Sequence, residues 1–226
     1  MSLLPNAIKR VNSLKYFASG LLFDNDGVLV DSMPAAIECW KQWAKEFGQV
    51  DFDVRQHAGV RAQDLVLQMV GEELFEEANN RINQLEQDVA HQTIPLPGSV
   101  ELLTSMQAGI WTVCTSANPH LGKARLTAAG LPVPEALVTA WDVQRGKPHP
   151  DPYLLGAERL GFDIADCVVF KDAPAGVQAG IEAGAGLIVG VSEHALKSAA
   201  DIVVRDLSGI TFDGETLFIP DKARLR

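Results

Sequence analysis

Short apolar runs and segments of helical periodicity alternate along most of this chain. A run at residues 20–23 ends at Asp24, and residues 31–48 then carry apolar side chains at helical spacing. From residue 99 onward, each helix-like segment precedes another apolar run; these runs lie at 110–116, 136–140, 166–172, 186–191 and 201–204. Such alternation predicts a mainly parallel sheet covered by helices on both faces.

Two segments depart from this alternation. Residues 51–93 are polar, rich in Glu and Gln, and helical in period, with no strand-like run. We therefore predict an α/β, Rossmann-like three-layer core formed by residues 1–32 and 98–226, with an inserted α-helical cap domain at residues 33–97. Near the end of the chain, residues 211–219 predict a hairpin with an Asp-Gly turn.

The composition limits the classes of function. The 226 residues are 47% hydrophobic, so a large core is expected, and the formal net charge of −10 argues against nucleic acid as a partner. No apolar run approaches the ~18 residues of a membrane span, and the three cysteines lack a C-x-x-C spacing. We predict reduced, buried thiols and a cytoplasmic monomer that binds neither membrane nor nucleic acid. The sequence leaves open whether residues 1–19, which show no clear period, are native.

Polar side chains follow four of the predicted strands. In open parallel sheets, ligands bind beyond the carboxyl ends of the strands. Any one of these side chains can be explained as a helix cap or a solvated loop residue, but four successive sets favour a ligand site. The sets are Asp24, Asn25 and Asp26; Thr115, Ser116 and Asn118; Asp142, Arg145, Lys147 and His149; and Lys171 and Asp172.

These residue types suit phosphoryl transfer. A spacing of two places Asp24 and Asp26 on one side of an extended strand end. One carboxylate can attack phosphorus, and its neighbour can protonate the leaving oxygen and then deprotonate water. Mg²⁺ would take Asp24, the Asp26 backbone carbonyl and Asp172. A hydroxyl and the backbone N–H groups of residues 116–118, together with Lys147, would hold the remaining phosphate oxygens.

Four ordered stretches carry a resemblance to a known family. "FDNDGVLVDS", "CTSAN", "GKPHPDP" and "FKDAPAG" resemble the four motifs of the haloacid dehalogenase-like superfamily of phosphohydrolases. "VTAWDVQRGKPHPDPYLLGAERLGF" is similar to sugar-phosphate and glycerol-phosphate phosphatases of that superfamily, a group that includes 2-deoxyglucose-6-phosphate phosphatases. The resemblance covers nearly the whole chain and implies a small phosphorylated sugar or polyol as the substrate.

The resemblance also implies a role for each site residue. It makes Asp24 the nucleophile, which would form an aspartyl-phosphate, and Asp26 the general acid and base. It places the phosphoryl group against Ser116, Ala117, Asn118 and Lys147, and the magnesium ion against Asp24, Asp26 and Asp172. In the cap, "HAGVR" resembles the specificity loop of the family, so that Arg61 is a candidate substrate contact. Cap closure would exclude water and select substrates by size.

Two alternatives to a magnesium-dependent phosphatase stay open. Sugar phosphomutases of this superfamily carry a histidine on the first cap helix, whereas the matching position here is Ala36, which favours a hydrolase. The other alternative is a weakly active or non-catalytic phosphate-binding homologue. Lys171 stands where similar phosphatases carry a glutamate that supports the metal ion. The lysine would weaken metal binding, swing away to solvent, or pair with Asp24 or Asp172 and replace part of the metal's charge.

Overall fold

The computed structural model describes residues 13–49 and 51–226, so that the question about the origin of residues 1–12 lies outside it. The strands are β1 (Ser13–Phe17), β2 (Gly20–Phe23), β3 (Val30–Asp31), β4 (Ile94–Pro95), β5 (Trp111–Val113), β6 (Cys167–Lys171), β7 (Leu187–Val191), β8 (Ile202–Val204), β9 (Thr211–Phe212) and β10 (Thr216–Pro220). The helices are α1 (Met33–Glu46), α2 (Ala62–Val89), α3 (Ser99–Ser105), α4 (Pro119–Ala128), α5 (Asp151–Leu160) and α6 (Pro174–Ala183).

A parallel sheet of five strands in the order β5-β2-β6-β7-β8 forms the middle layer of the core. Successive side chains of a strand point to opposite faces. Accordingly, Leu21 and Phe23 pack in one apolar cluster with residues of α3 and α4. Leu22 packs on the other face with residues of α5 and α6. Every residue of the five strands is buried, which explains their continuous apolar sequences and confirms the predicted three-layer α/β fold.

Three elements differ from the sequence-based prediction. Residues 136–140 make only an isolated parallel bridge, Val138 to Cys114, because the next hydrogen bond, from the Ala140 N–H to the Ala117 carbonyl at 2.9 Å, is out of register for a ladder. The helix-like segment at 194–200, which precedes the last apolar run at 201–204, is a short 3₁₀ turn, Glu193–Lys197. The strand β1, which sequence periodicity did not indicate, pairs antiparallel with β10. The predicted hairpin at 211–219 is confirmed by the antiparallel pair β9 and β10.

The segment between β3 and β4 builds an apolar cluster of its own. Trp40 and Trp43 of α1 pack against residues of α2 such as Ile82, and the Trp43 indole N–H donates to the Ala78 carbonyl at 2.8 Å. The buried members of this cluster all lie between residues 36 and 85. The strands β3 and β4 pair antiparallel where the chain leaves and re-enters the core. This separate cluster supports the predicted cap boundaries at 33 and 97, which stay a prediction.

The long helix α2 is interrupted at Gly71, whose backbone angles (φ 72°, ψ 178°) are non-helical. An L-residue with a side chain rarely adopts such a positive φ, so that glycine permits the kink. Within the described part of the chain, no helix combines the length and the apolar character needed to cross a membrane.

Candidate active site

The strand β2 ends by placing the Asp24 carboxylate in a buried position. Asp24 is only 3% exposed. Its Oδ1 accepts hydrogen bonds from the Asn25 backbone N–H and from Lys147 Nζ, both at 2.8 Å, and its Oδ2 accepts one from Lys171 Nζ. Both carboxylate oxygens are therefore neutralised by ammonium groups, which is how a buried carboxylate can stay charged.

Lys147 reaches Asp24 from the loop that precedes α5. Its ammonium also donates to the Cys114 carbonyl at 2.7 Å and lies 5.0 Å from the centre of the Tyr153 ring. Burial lowers the pKa of Lys147 to about 8, although the carboxylates of Asp172 and Asp26 act in the opposite direction. The group is thus a cation at neutral pH and loses its charge in mildly alkaline solution.

Lys171 and Asp172 arrive from the end of β6. Lys171 Nζ donates to Asp172 Oδ1 at 2.7 Å as well as to Asp24, so that the ammonium lies between the two carboxylates. The chain allows this approach because Gly27 turns with a φ of 78°, and a Cβ atom there would lie 2.1 Å from Asp172 Oδ2. Any other residue at position 27 would push Asp172 away.

The predicted magnesium ligands can be tested against this arrangement. Asp24 and Asp172 have the oxygen donors that Mg²⁺ prefers. The Lys171 ammonium already lies between them, and among the described residues no group of three or more His, Cys, Asp or Glu side chains is arranged to hold a metal ion. These residues, as arranged, do not fit a magnesium ion between Asp24 and Asp172.

Asp26 lies two residues beyond Asp24, and its side chain is 27% exposed. Its Oδ1 accepts hydrogen bonds from the Ser32 hydroxyl at 2.5 Å and from Arg125 at 3.1 Å. The same guanidinium donates to Glu86 of α2 at 3.0 Å. Arg125 therefore joins a predicted catalytic carboxylate of the core to the long helix of the cap.

Arg125 and Glu86 were not predicted as site residues. Their side chains are 9% and 8% exposed. Burial raises the pKa of Glu86 against the opposing effect of Arg125. Burial acts to lower the pKa of Arg125, but Asp26 and Glu86 outweigh it, so that this pKa is raised. In the sequence, both residues have the ordinary appearance of charged positions on a helix, and no local pattern marks them.

The segment after β5 carries the predicted phosphate ligands. The Ser116 hydroxyl donates to the Gly59 carbonyl at 2.7 Å, and the Ala117 backbone N–H lies 3.1 Å from the Thr115 hydroxyl. Asn118 caps α4 through the Leu121 backbone N–H at 2.9 Å, and its amide also donates to Asn83 of α2 at 3.1 Å. The three residues line the same cleft as Asp24, but their roles toward phosphate stay predictions.

Arg61 directly precedes α2 as its N-cap residue and is 6% exposed. It makes two hydrogen bonds to the Asp64 carboxylate, at 2.7 and 2.8 Å, and donates to the carbonyls of Ala140, Val143 and Gln144 at 3.1–3.3 Å. The guanidinium thus joins the start of the cap helix to a loop of the core. Its predicted contact with substrate stays a prediction, and it would require some of these bonds to be exchanged.

A cleft between the cap and the strand ends brings most of the predicted residues together. Its empty space, including the open mouth, is about 940 Å³. The residues that line it include Asp24, Asp26, Arg61, Ser116, Ala117, Asn118, Lys171 and Asp172, with Ala36, Trp40, Asn79, Asn83 and Glu86 from the cap. Lys147 contacts Asp24 but does not itself line the cleft. Asp142 and Arg145 do not line it either; they form ion pairs with Arg159 and Asp151, respectively.

Comparison with known proteins gives consistent matches. A family model described as haloacid dehalogenase-like hydrolase matches residues 18–184. Hexitol phosphatase A of Escherichia coli is 39% identical over 200 residues, which cover 85% of this chain and 93% of that protein. Glycerol-1-phosphate phosphohydrolase 1 of Saccharomyces cerevisiae is 33% identical over 216 residues, covering 88% and 85%. The structure of a hydrolase from Pseudomonas syringae aligns with a TM-score of 0.70 and 26% identity, covering 83% of this chain and 93% of that one.

Proposed function

Since the chain belongs to the haloacid dehalogenase-like hydrolases, we propose that it hydrolyses the phosphate monoester of a small sugar or polyol with Asp24 as the nucleophile. The observation that carries the proposal is the buried Asp24 carboxylate, which borders the cleft and is held by two ammonium groups. The names of the similar proteins, a hexitol phosphatase and a glycerol-1-phosphate phosphohydrolase, support a polyol phosphate as the substrate class.

The reaction has two steps in this proposal. An Asp24 oxygen attacks phosphorus, the P–O bond to the sugar or polyol breaks, and the departing oxygen takes a proton from Asp26. Water then attacks the aspartyl-phosphate, gives a proton to Asp26, and releases inorganic phosphate with Asp24 restored. The Asp26 side chain suits the second role because it is partly exposed to the cleft.

Positive charge around Asp24 would lower the repulsion between the carboxylate and the phosphate dianion. Lys147 holds Oδ1 and Lys171 contacts Oδ2, which orients the carboxylate and offsets its charge. Ser116 and the N–H groups after it border the same cleft and would bind the phosphoryl oxygens.

The predicted dependence on magnesium is a separate question. Hydrolases of this family generally use a divalent metal ion, but the contact of Lys171 with both Asp24 and Asp172 argues against one at this position. No step above depends on a metal ion. The metal dependence, the monomeric state and the cytoplasmic location stay predictions.

The cap supports a hydrolase over a mutase. Ala36 of α1 lines the cleft at the position where, by resemblance, a mutase carries a histidine. Its methyl group cannot transfer a proton, so that the first cap helix lacks that means of returning a phosphoryl group to a second sugar hydroxyl.

Product analysis on a substrate panel tests the proposal. The panel contains hexitol phosphates, glycerol 1-phosphate and 2-deoxyglucose 6-phosphate, with free inorganic phosphate as the measured product and Asp24→Asn as the control enzyme. We expect phosphate release by the native chain and none by the control. An isomerised sugar phosphate would identify a mutase, and unchanged turnover by Asp24→Asn would disprove the assigned nucleophile.

A further inference from the structure

A buried ammonium group lies between the two carboxylates that were predicted to bind a metal ion. Lys171 Nζ contacts Asp24 Oδ2 and lies 2.7 Å from Asp172 Oδ1. An ammonium group has three donors and carries its charge at a compact point. Within the described residues, two donors join the carboxylates, which leaves the third for an acceptor in the cleft that Lys171 lines.

The fold provides a fitted space for this side chain. The Lys171 side chain is 1% exposed. Gly176, in the first turns of α6, lies so close that a Cβ atom there would be 2.3–2.4 Å from three carbons of the lysine stem. On the cap side, a Cβ atom at Gly59 would lie 3.3 Å from Nζ. The lysine is therefore held by packing from core and cap, which does not agree with the alternative that it points to solvent.

A divalent ion at the same place would face like charge. Any ion coordinated by both Asp24 and Asp172 would lie within a few ångströms of the Lys171 ammonium. Lys147 adds a second cation on the other oxygen of Asp24. Like charges in a buried site repel strongly because little water screens them.

We propose that Lys171 is the resident cation of this site and that the chain binds phosphate beside Asp24 without a divalent metal ion. The ammonium shields Asp24 from the phosphate dianion and donates its third hydrogen bond to a phosphoryl oxygen. The inference rests on the proposed function, because it concerns the same carboxylate. The reaction needs no further reactant, since the same P–O bond breaks and Asp26 supplies the same proton as in the two steps proposed for the hydrolysis.

Metal binding by the protein itself is the first test and needs no turnover. Mn²⁺, a spectroscopic substitute for Mg²⁺, is titrated into the native chain and into Lys171→Glu, and its bound fraction is followed by electron paramagnetic resonance. We expect no binding to the native chain at millimolar metal. We expect one Mn²⁺ site in Lys171→Glu, where a third carboxylate replaces the ammonium.

Phosphate binding in the presence of EDTA is the second test. Inorganic phosphate is titrated calorimetrically into the native chain, into Lys171→Met, which removes the charge at similar length, and into Lys123→Met, an exposed lysine of α4 as the matched control. We expect the native chain and the control to bind equally. Lys171→Met should bind roughly 10- to 100-fold more weakly, the effect of losing one hydrogen bond to a charged group.

The outcomes separate this inference from the proposed function. The inference is overturned if the native chain binds Mn²⁺ at one site, or if it binds phosphate only when Mg²⁺ is added. It is also overturned if Lys171→Met binds phosphate in EDTA as tightly as the native chain does. Metal-free phosphate binding without turnover of any substrate would support the inference and overturn the proposed function. Turnover that is equal in EDTA and in millimolar Mg²⁺ would support both.

Discussion

Replacing the Asp24 carboxylate with an amide should destabilise the fold as well as abolish turnover. Asp24 contacts Lys147 at 2.8 Å and also contacts Lys171, and the two lysine side chains are 0% and 1% exposed. In Asp24→Asn, both ammonium groups stay buried with one carboxylate fewer. Removal of one partner from a buried ion pair costs ~3–5 kcal/mol because the other charge stays desolvated.

Two features reduce this cost. The asparagine oxygen still accepts one hydrogen bond, and Lys171 keeps its contact with Asp172. Lys147 can release its proton, because its pKa of about 8 lies close to neutral pH, and this release limits the additional cost from that group. We expect the free energy of unfolding to fall by about 2 kcal/mol at pH 7, which corresponds to a decrease in Tm of roughly 4–8 °C.

The free energy of unfolding that Asp24→Asn loses should become smaller as the pH rises. The pKa of Lys147 is about 8 in the folded chain, below the ~10.4 of an unfolded lysine. The unfolded chain therefore binds more protons between these values, and the stability contribution of this group improves as the pH rises through that window. At pH 9 most Lys147 is neutral even in the native chain, so that the additional cost of losing Asp24 is smaller there.

Urea unfolding at pH 7 and pH 9, followed by tryptophan fluorescence and circular dichroism, measures both effects. Asp166→Asn, at an exposed carboxylate before β6, is the matched control and should change stability by less than about 0.5 kcal/mol. Asp24→Asn that is as stable as the native chain at pH 7, or more stable, would refute the reasoning. It would mean that the two lysines do not depend on Asp24 for compensation.

Three further results are expected. The rate of phosphate release should fall as the pH rises through about 8 because Lys147 loses its charge, and a pH profile of Lys147→Arg should show that fall at higher pH. Glu86→Gln should lower the free energy of unfolding by about 1–3 kcal/mol in urea titrations, since Arg125 then retains Asp26 as its only charged partner among the described residues. Asn79 Oδ1, a buried acceptor on the cleft without a partner in the described chain, should bind a substrate hydroxyl. Asn79→Ala should therefore raise KM for a polyol phosphate about tenfold with little change in kcat, and steady-state kinetics against 4-nitrophenyl phosphate provide the comparison.

Hydrophobic pattern predicted the central sheet because a strand buried on both faces needs a continuous apolar run. The runs that become β2, β6 and β7 are buried at every position. The same hydrophobic pattern also predicted where these strands end and which polar residues follow them. Asp24 and Asp172, which are distant in sequence, meet through Lys171 because parallel strands bring their carboxyl ends to one edge.

Elements that depend on long-range pairing were not predictable in this way. The strand β1 pairs with β10, some two hundred residues later. Its alternation of Leu14 and Tyr16 with polar residues is too short to be recognised within residues 1–19, which as a whole show no clear period. The run at 136–140 has strand-like composition, but the Ala140 N–H donates to the Ala117 carbonyl, which is out of register for a parallel ladder. Local composition cannot reveal which acceptor a backbone N–H will find.

The sequence by itself determined the family, the layered fold and the set of polar residues at the strand ends, because these depend on periodicity and on ordered motifs. It also showed that Lys171 is an unusual neighbour for Asp172, but it left the direction of that side chain open. Only the tertiary structure decided this direction, since the absence of a side chain at Gly176 makes room for the lysine stem and two carboxylates attract its ammonium. The bridge from Asp26 through Arg125 to Glu86 was decided in the same way, because it joins three segments that meet only when the chain is folded.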